Sequence, residues 1–149
     1  MTDPEILAFI RKLLLVVLAV GLIGSATDLM LLGHYEDAWQ MVPLILLAAA
    51  MLIVVWLLVK DTAAAVTALR ITMVLCLASG VIGTMLHFNG NREFQHELDP
   101  SLSGWELFST VMTAKAPPAL APGAMIQLGL IGLVATYRHP ALTRPRGSQ

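Results

Sequence analysis

Charge is what this sequence lacks most. Of its 149 residues, 13% are Asp, Glu, Lys or Arg, 57% are hydrophobic, and the net charge is -1. A soluble domain carries about a quarter of its residues charged. The composition therefore excludes an ordinary water-exposed globule. Cysteine is nearly absent too. Cys76 stands alone in an apolar run, so intrachain disulfides, cysteine metal clusters and a Cys-x-x-Cys-His haem attachment are excluded, and the thiol reads as a small packing residue. Catalytic signatures are missing as well. Ser101, Ser103 and Ser109 share a segment with His96 and Asp99, but there is no Gly-x-Ser-x-Gly elbow, P-loop, dinucleotide fingerprint or basic nucleic-acid patch. The reading leans away from an enzyme, and nucleic acid is not an expected partner.

What is present is a set of four apolar runs, at about 13–33, 41–59, 63–88 and 120–137. About 20 apolar residues in helical form cross a bilayer core of roughly 30 Å. The expected fold is all-α: a polytopic membrane protein, one four-transmembrane-helix bundle over 1–149, with its outer loop at 89–118. The lipid bilayer is its solvent. Short connections make successive spans antiparallel neighbours.

The charges are segregated. With the N-terminus inside, Arg11, Lys12, Lys60, Arg70, Arg138, Arg144 and Arg146 lie inside, against Asp3, Glu5 and Asp61. Outside are Arg92 and Lys115 against Glu36, Asp37, Glu93, Glu97, Asp99 and Glu106. That positive-inside bias predicts a plasma (inner) membrane protein with both termini cytoplasmic. Arg11, Lys12 and the small residues Gly24-Ser25-Ala26 resemble a signal peptide, but Asp3, Glu5 and continued hydropathy to Leu32 favour an uncleaved span. Residues 1–12 read as an interfacial lead-in, and the basic tail from Arg138 to Arg146 as an inner-leaflet anchor.

Local signals punctuate the spans. Pro4 suits a first helical turn, Gly33 a stop, Pro43 the first turn of span 2, and Asp61 or Thr62 a cap on span 3. Tyr35, Trp39 and Trp56 fall where aromatic belts form. Ser103-Gly104-Trp105-Glu106 reads as a capping box, and Leu102, Trp105, Phe108, Val111 and Met112 then recur at helical spacing. This predicts an amphipathic helix that either lies in the outer interface or covers the bundle. From Pro122 to Tyr137 a helix would reach only about 24 Å. Residues 117–123 are therefore either a re-entrant, non-helical entry or a helix from Pro118 kinked at Pro122. Gly21-Leu22-Ile23-Gly24-Ser25 is echoed by Gly80-Val81-Ile82-Gly83-Thr84, through chance and small-residue packing or through a duplicated hairpin whose first and third helices share an interface.

Candidate chemistry gathers at the outer face. His34, Glu36, His87, Glu93, His96 and Glu97 are candidate ligands for a transition metal (Zn, Cu or Fe). Glu93-x-x-His96 places two ligands on one helical face, but di-iron bundles need that pair twice. His34 and His87 could alternatively be the axial pair of a non-covalent haem. The plainer reading is that these groups cap helices, pair or meet headgroups. Asp28 and Gln127 are intramembrane polar groups; a carboxylate at that depth needs a partner, such as His87 or Gln127, or an interior position. The first function expected is an accessory or structural subunit of a membrane complex, contacting other subunits or a second copy through Trp105, Phe108 and Met112. Alternatives are a metal- or haem-binding protein at the outer face, and an oligomeric proton-linked transporter using Asp28 and Gln127.

Overall fold

A computed structural model describes residues 2–143. Arg144 and Arg146, counted above among the inner charges and the tail anchor, lie outside the described residues. The described chain is all-helical, with no strand: α1 (Asp3–Leu31), α2 (Ala38–Val59), α3 (Ala63–Leu98), α4 (Gly104–Met112) and α5 (Leu120–Ala135), then a 3-10 turn at Pro140–Leu142. α1, α2 and α3 are long and apolar enough to cross a membrane; α5 is apolar but has 16 residues.

The termini of these helices follow from local chemistry. Asp37 and Thr62 cap α2 and α3, accepting from the N–H groups of Gln40 and Ala65 at 2.9 and 3.2 Å. At α1, the Thr2 N–H donates to Glu5 at 2.8 Å. Ser103 stands at the N-cap of α4 but makes no side-chain cap bond, so the expected box there is not closed. Three boundaries differ from expectation. The lead-in is continuous with α1 from Asp3. α2 begins at Ala38, which puts Pro43 inside the helix rather than in its first turn. α3 runs through Asn89-Gly90-Asn91 to Leu98, because helical hydrogen bonding does not require an apolar sequence. The 117–123 segment divides: 117–119 is a turn, and the helix starts at Leu120 with Pro122 in its first turn, where a missing N–H costs little.

The four long helices form a ring in which α1 packs on α2 and α5, and α3 packs on α2 and α5. α1 and α3 stand diagonally. The two glycine pairs therefore share a common neighbour rather than an interface with each other: Gly21 faces Leu128, and Gly80 faces Pro122 and Ile126, all on α5. At one end, called proximal below, the α2–α3 turn meets the segment after α5, with Asp61 and the His139 imidazole 3.6 Å apart. The other end is called distal.

Packing is concentrated toward the proximal end. The buried residues of α3 run from Ala65 to Gly80, and none of its 18 later residues is buried. They share one core with Leu15, Leu18 and Leu22 of α1, Leu47, Val54 and Leu57 of α2, and Met125 and Leu128 of α5. The closest approach is between α3 and α5. A Cβ added at Gly80 would stand 2.6 Å from the Pro122 carbonyl oxygen, and one at Gly129 would stand 2.8 Å from that of Met73. Backbone cannot swing aside as a side-chain tip can, so these glycines set the helix separation. Gly90 has open space around the same position. Gly129→Val is expected to destabilise the bundle by about 1–3 kcal/mol through overpacking, and Gly90→Ala to stabilise it by about 0.5–1 kcal/mol. Thermal unfolding in detergent checks both signs.

Candidate functional site: a histidine-rimmed cavity at the distal end

The two ends of the ring are finished differently. At the proximal end, two arginines close the C-terminus of α5. Arg70 of α3 donates to the Thr136 carbonyl at 2.8 Å, and Arg11 of α1 donates to the carbonyls of Tyr137 and Arg138 at 3.4 and 3.2 Å. Cations at a helix C-terminus satisfy orphan carbonyls and oppose the helix dipole. Arg70→Leu should therefore lower stability by about 1–3 kcal/mol, more than Arg70→Lys, in denaturant titrations.

The distal end is open. A cavity of about 390 Å³ lies between the ends of α1, α2, α3 and α5. One face of α3 lines it: Ser79, Ile82, Gly83, Leu86, His87, Gly90 and Asn91. Those positions repeat at three- and four-residue intervals and span about 18 Å of helix. Opposite stand Leu29 and His34, the start of α2 from Asp37 to Pro43, and Pro122 and Met125 of α5. α4 contributes no lining residue among the described residues.

His34 is held by a defined stop. Gly33 adopts φ +66°, the His34 N–H donates to the Leu29 carbonyl at 2.9 Å, and the Gly33 N–H donates to the Met30 carbonyl at 3.1 Å. That pair of bonds is a Schellman motif. Three residues later the chain is fixed again. The Gln40 N–H donates to Asp37, and the Glu36 N–H donates to the Gln40 side-chain oxygen, each at 2.9 Å. Between these two devices His34 meets His87 of α3, with ring centroids 6.0 Å apart and planes inclined by 23°. Pro43, having no N–H, leaves the Trp39 carbonyl without its usual helical donor beside the same cavity. Asn91 donates to the Ala116 carbonyl at 2.9 Å and ties the approach to α5 against α3.

Of the six candidate metal ligands, the structure brings together His34 and His87. Glu93, His96 and Glu97 are exposed, about 9–15 Å farther along α3 than His87 by helical rise. Glu36 is exposed and does not line the cavity. Among the described residues no group of three or more His, Cys, Asp or Glu side chains is placed to hold a metal ion. Glu93 and His96 do share one helical stretch, as their spacing predicts. Asp28 and Gln127 are both exposed, and neither side chain hydrogen-bonds another described residue. Trp105 is 77% and Phe108 41% exposed, and Met112 is half-buried. α4 packs on α3, with Val111 buried and the Phe108 ring centroid 5.9 Å from that of Phe88.

No protein-family model, curated protein or solved structure matches this chain. Function has to be argued from the site itself. Sequence reasoning had missed Asp37, Gln40, Asn91 and Pro122 as parts of one site. The periodic face from Ser79 to Asn91 and the Asp37-x-x-Gln40 spacing were the available signals.

Gly33→Val is expected to cost about 1–2 kcal/mol, because a branched side chain disfavours the left-handed region. Gly33→Asn, which tolerates that region, should lose less. Chemical denaturation of the two variants measures the difference.

Proposed function

We propose that this chain is a four-span integral membrane protein of the plasma membrane, with its proximal end cytoplasmic, and that it works as a subunit of a larger membrane assembly. The bilayer reading is supported by the apolar surface that all four long helices turn outward: Val20 is 66% exposed, Leu52 71%, Ile71 58% and Val134 60%. α5, at about 24 Å, is short for a crossing. In this reading it spans beside α3, with its C-terminus held by Arg11 and Arg70. The basic side chains near the proximal end support the orientation.

The observation that carries the assembly reading is the exposure of Asp28 and Gln127. They lie on α1 and α5, two helices that pack together, and no described residue of the chain hydrogen-bonds either side chain. A carboxylate within an apolar stretch is costly against lipid and is ordinarily met by a polar partner. A neighbouring subunit or a second copy of the chain supplies that partner in this reading. α4, with Trp105 and Phe108 outward, offers a further contact at the distal surface. A proton route using Asp28 would have to run between chains, since the residue faces away from its own bundle.

The test is native mass spectrometry after gentle extraction. The expected result is an assembly above the 16.0 kDa single chain, with Asp28→Leu shifting the population toward the single chain. A wild-type protein that is monomeric in nanodiscs, and unchanged by that substitution, would overturn the reading.

A further inference from the structure

We propose that the distal cavity binds the head and first isoprenoid portion of a membrane quinone, with the head at the mouth beside His34 and His87. The inference rests on the bilayer reading above and on three properties of the cavity. The first is its shape. It follows about 18 Å of α3, from Asn91 at the mouth to Ser79, and its volume of about 390 Å³ falls in the range of small-molecule sites. An elongated ligand lying along the helix fits this trough better than a compact one.

The second property is its graded polarity. The mouth holds His34, Asp37, Gln40, His87 and Asn91; the deeper wall is Leu29, Ile82, Leu86, Pro122 and Met125. A molecule with a polar head toward the distal surface and an apolar body matches both parts. Such a ligand would enter from the bilayer, where it is dissolved.

The third property is the charge of the rim. Among the described residues no Lys or Arg lines the cavity, and the one carboxylate that does, Asp37, already accepts the Gln40 N–H. A phosphate, a fatty-acid carboxylate or the propionates of a haem would find no countercharge there. A neutral head is favoured. A neutral imidazole offers one donor and one acceptor. His34 and His87, 6.0 Å apart, both stand at the mouth, so a ring oxygen of the head can be met there by donation in the quinone and by acceptance in the quinol.

Trp39 borders the cavity and provides a reporter. The experiment uses the full chain in quinone-free nanodiscs, with Trp56→Phe and Trp105→Phe removing the other indoles. Decylubiquinone is titrated and Trp39 quenching is followed. Saturable binding at one quinone per chain is expected, weakened about tenfold, the equivalent of one lost hydrogen bond, in His34→Ala or His87→Ala. Filling the trough with Ser79→Phe should also weaken it, and His96→Ala should leave it unchanged. Circular dichroism confirms that each variant is folded. Quenching that rises without saturation, or that is equal in wild type, His87→Ala and Ser79→Phe, overturns the proposal. So does loss confined to Ser79→Phe, or hemin binding with a bis-imidazole spectrum where the quinone fails. Recovery of the chain in the soluble fraction without detergent would instead overturn the bilayer reading on which the inference rests.

Discussion

The arrangement depends on how closely α5 can approach α3. Gly80 and Gly129 face backbone carbonyls of the opposite helix, and Gly132 faces Met73. Where two helices meet through glycines, dispersion contacts extend over the backbones and replace the side-chain interdigitation of a wider pair. α5 has few residues of its own to hold it. Its position comes from this contact, from its packing on α1, and from the arginines that meet the Thr136, Tyr137 and Arg138 carbonyls just past its end. The other helices then have fixed places: α1 and α2 complete the ring, leaving α1 and α3 on the diagonal.

The same geometry accounts for the difference between the two ends. Leu69, Met73, Val54 and Leu18 fill the space among the helices near the proximal end. Distally, the face of α3 that lines the cavity alternates Ile82 and Leu86 with Gly83 and Gly90, which fill no space, and with polar His87 and Asn91. The two caps beside His34 keep the α1–α2 turn in place across this gap, so the opening has ordered walls. An order of this kind, with a tight base and an open mouth, places the polar groups of His34, Asp37, His87 and Asn91 where packing contributes least to stability.

Much of the fold was legible in the sequence, and the reasons are specific. The apolar runs located α1, α2, α3 and α5, since hydropathy reports burial or lipid exposure directly. Gly33 and Thr62 marked ends that the structure places there. The polar extension of α3 was not legible, because Asn89-Gly90-Asn91 carries weak helix formers and signals a loop; tertiary contact from α4 and the Asn91 bond outweigh that local preference. The start of α2 was missed for a similar reason, Pro43 being read as a first-turn residue. For the site, histidines and acids could be named but not sorted. Which of them meet depends on the level each reaches along α3, and that register lies in the packing against α5. His34 and His87 could be paired from their places at the ends of two spans, but that Glu93, His96 and Glu97 stand apart from them follows from the continuation of α3.

The continuity of α3 carries one more consequence. Its 36 residues measure about 54 Å, and one continuous helix forms the deep core, then the wall of the cavity, then the stretch against which α4 lies. Being unbroken, it fixes His87 about 10 Å and Asn91 about 16 Å beyond Gly80 by helical rise, so the close approach of Gly80 to Pro122 also sets the level at which the rim of the cavity stands.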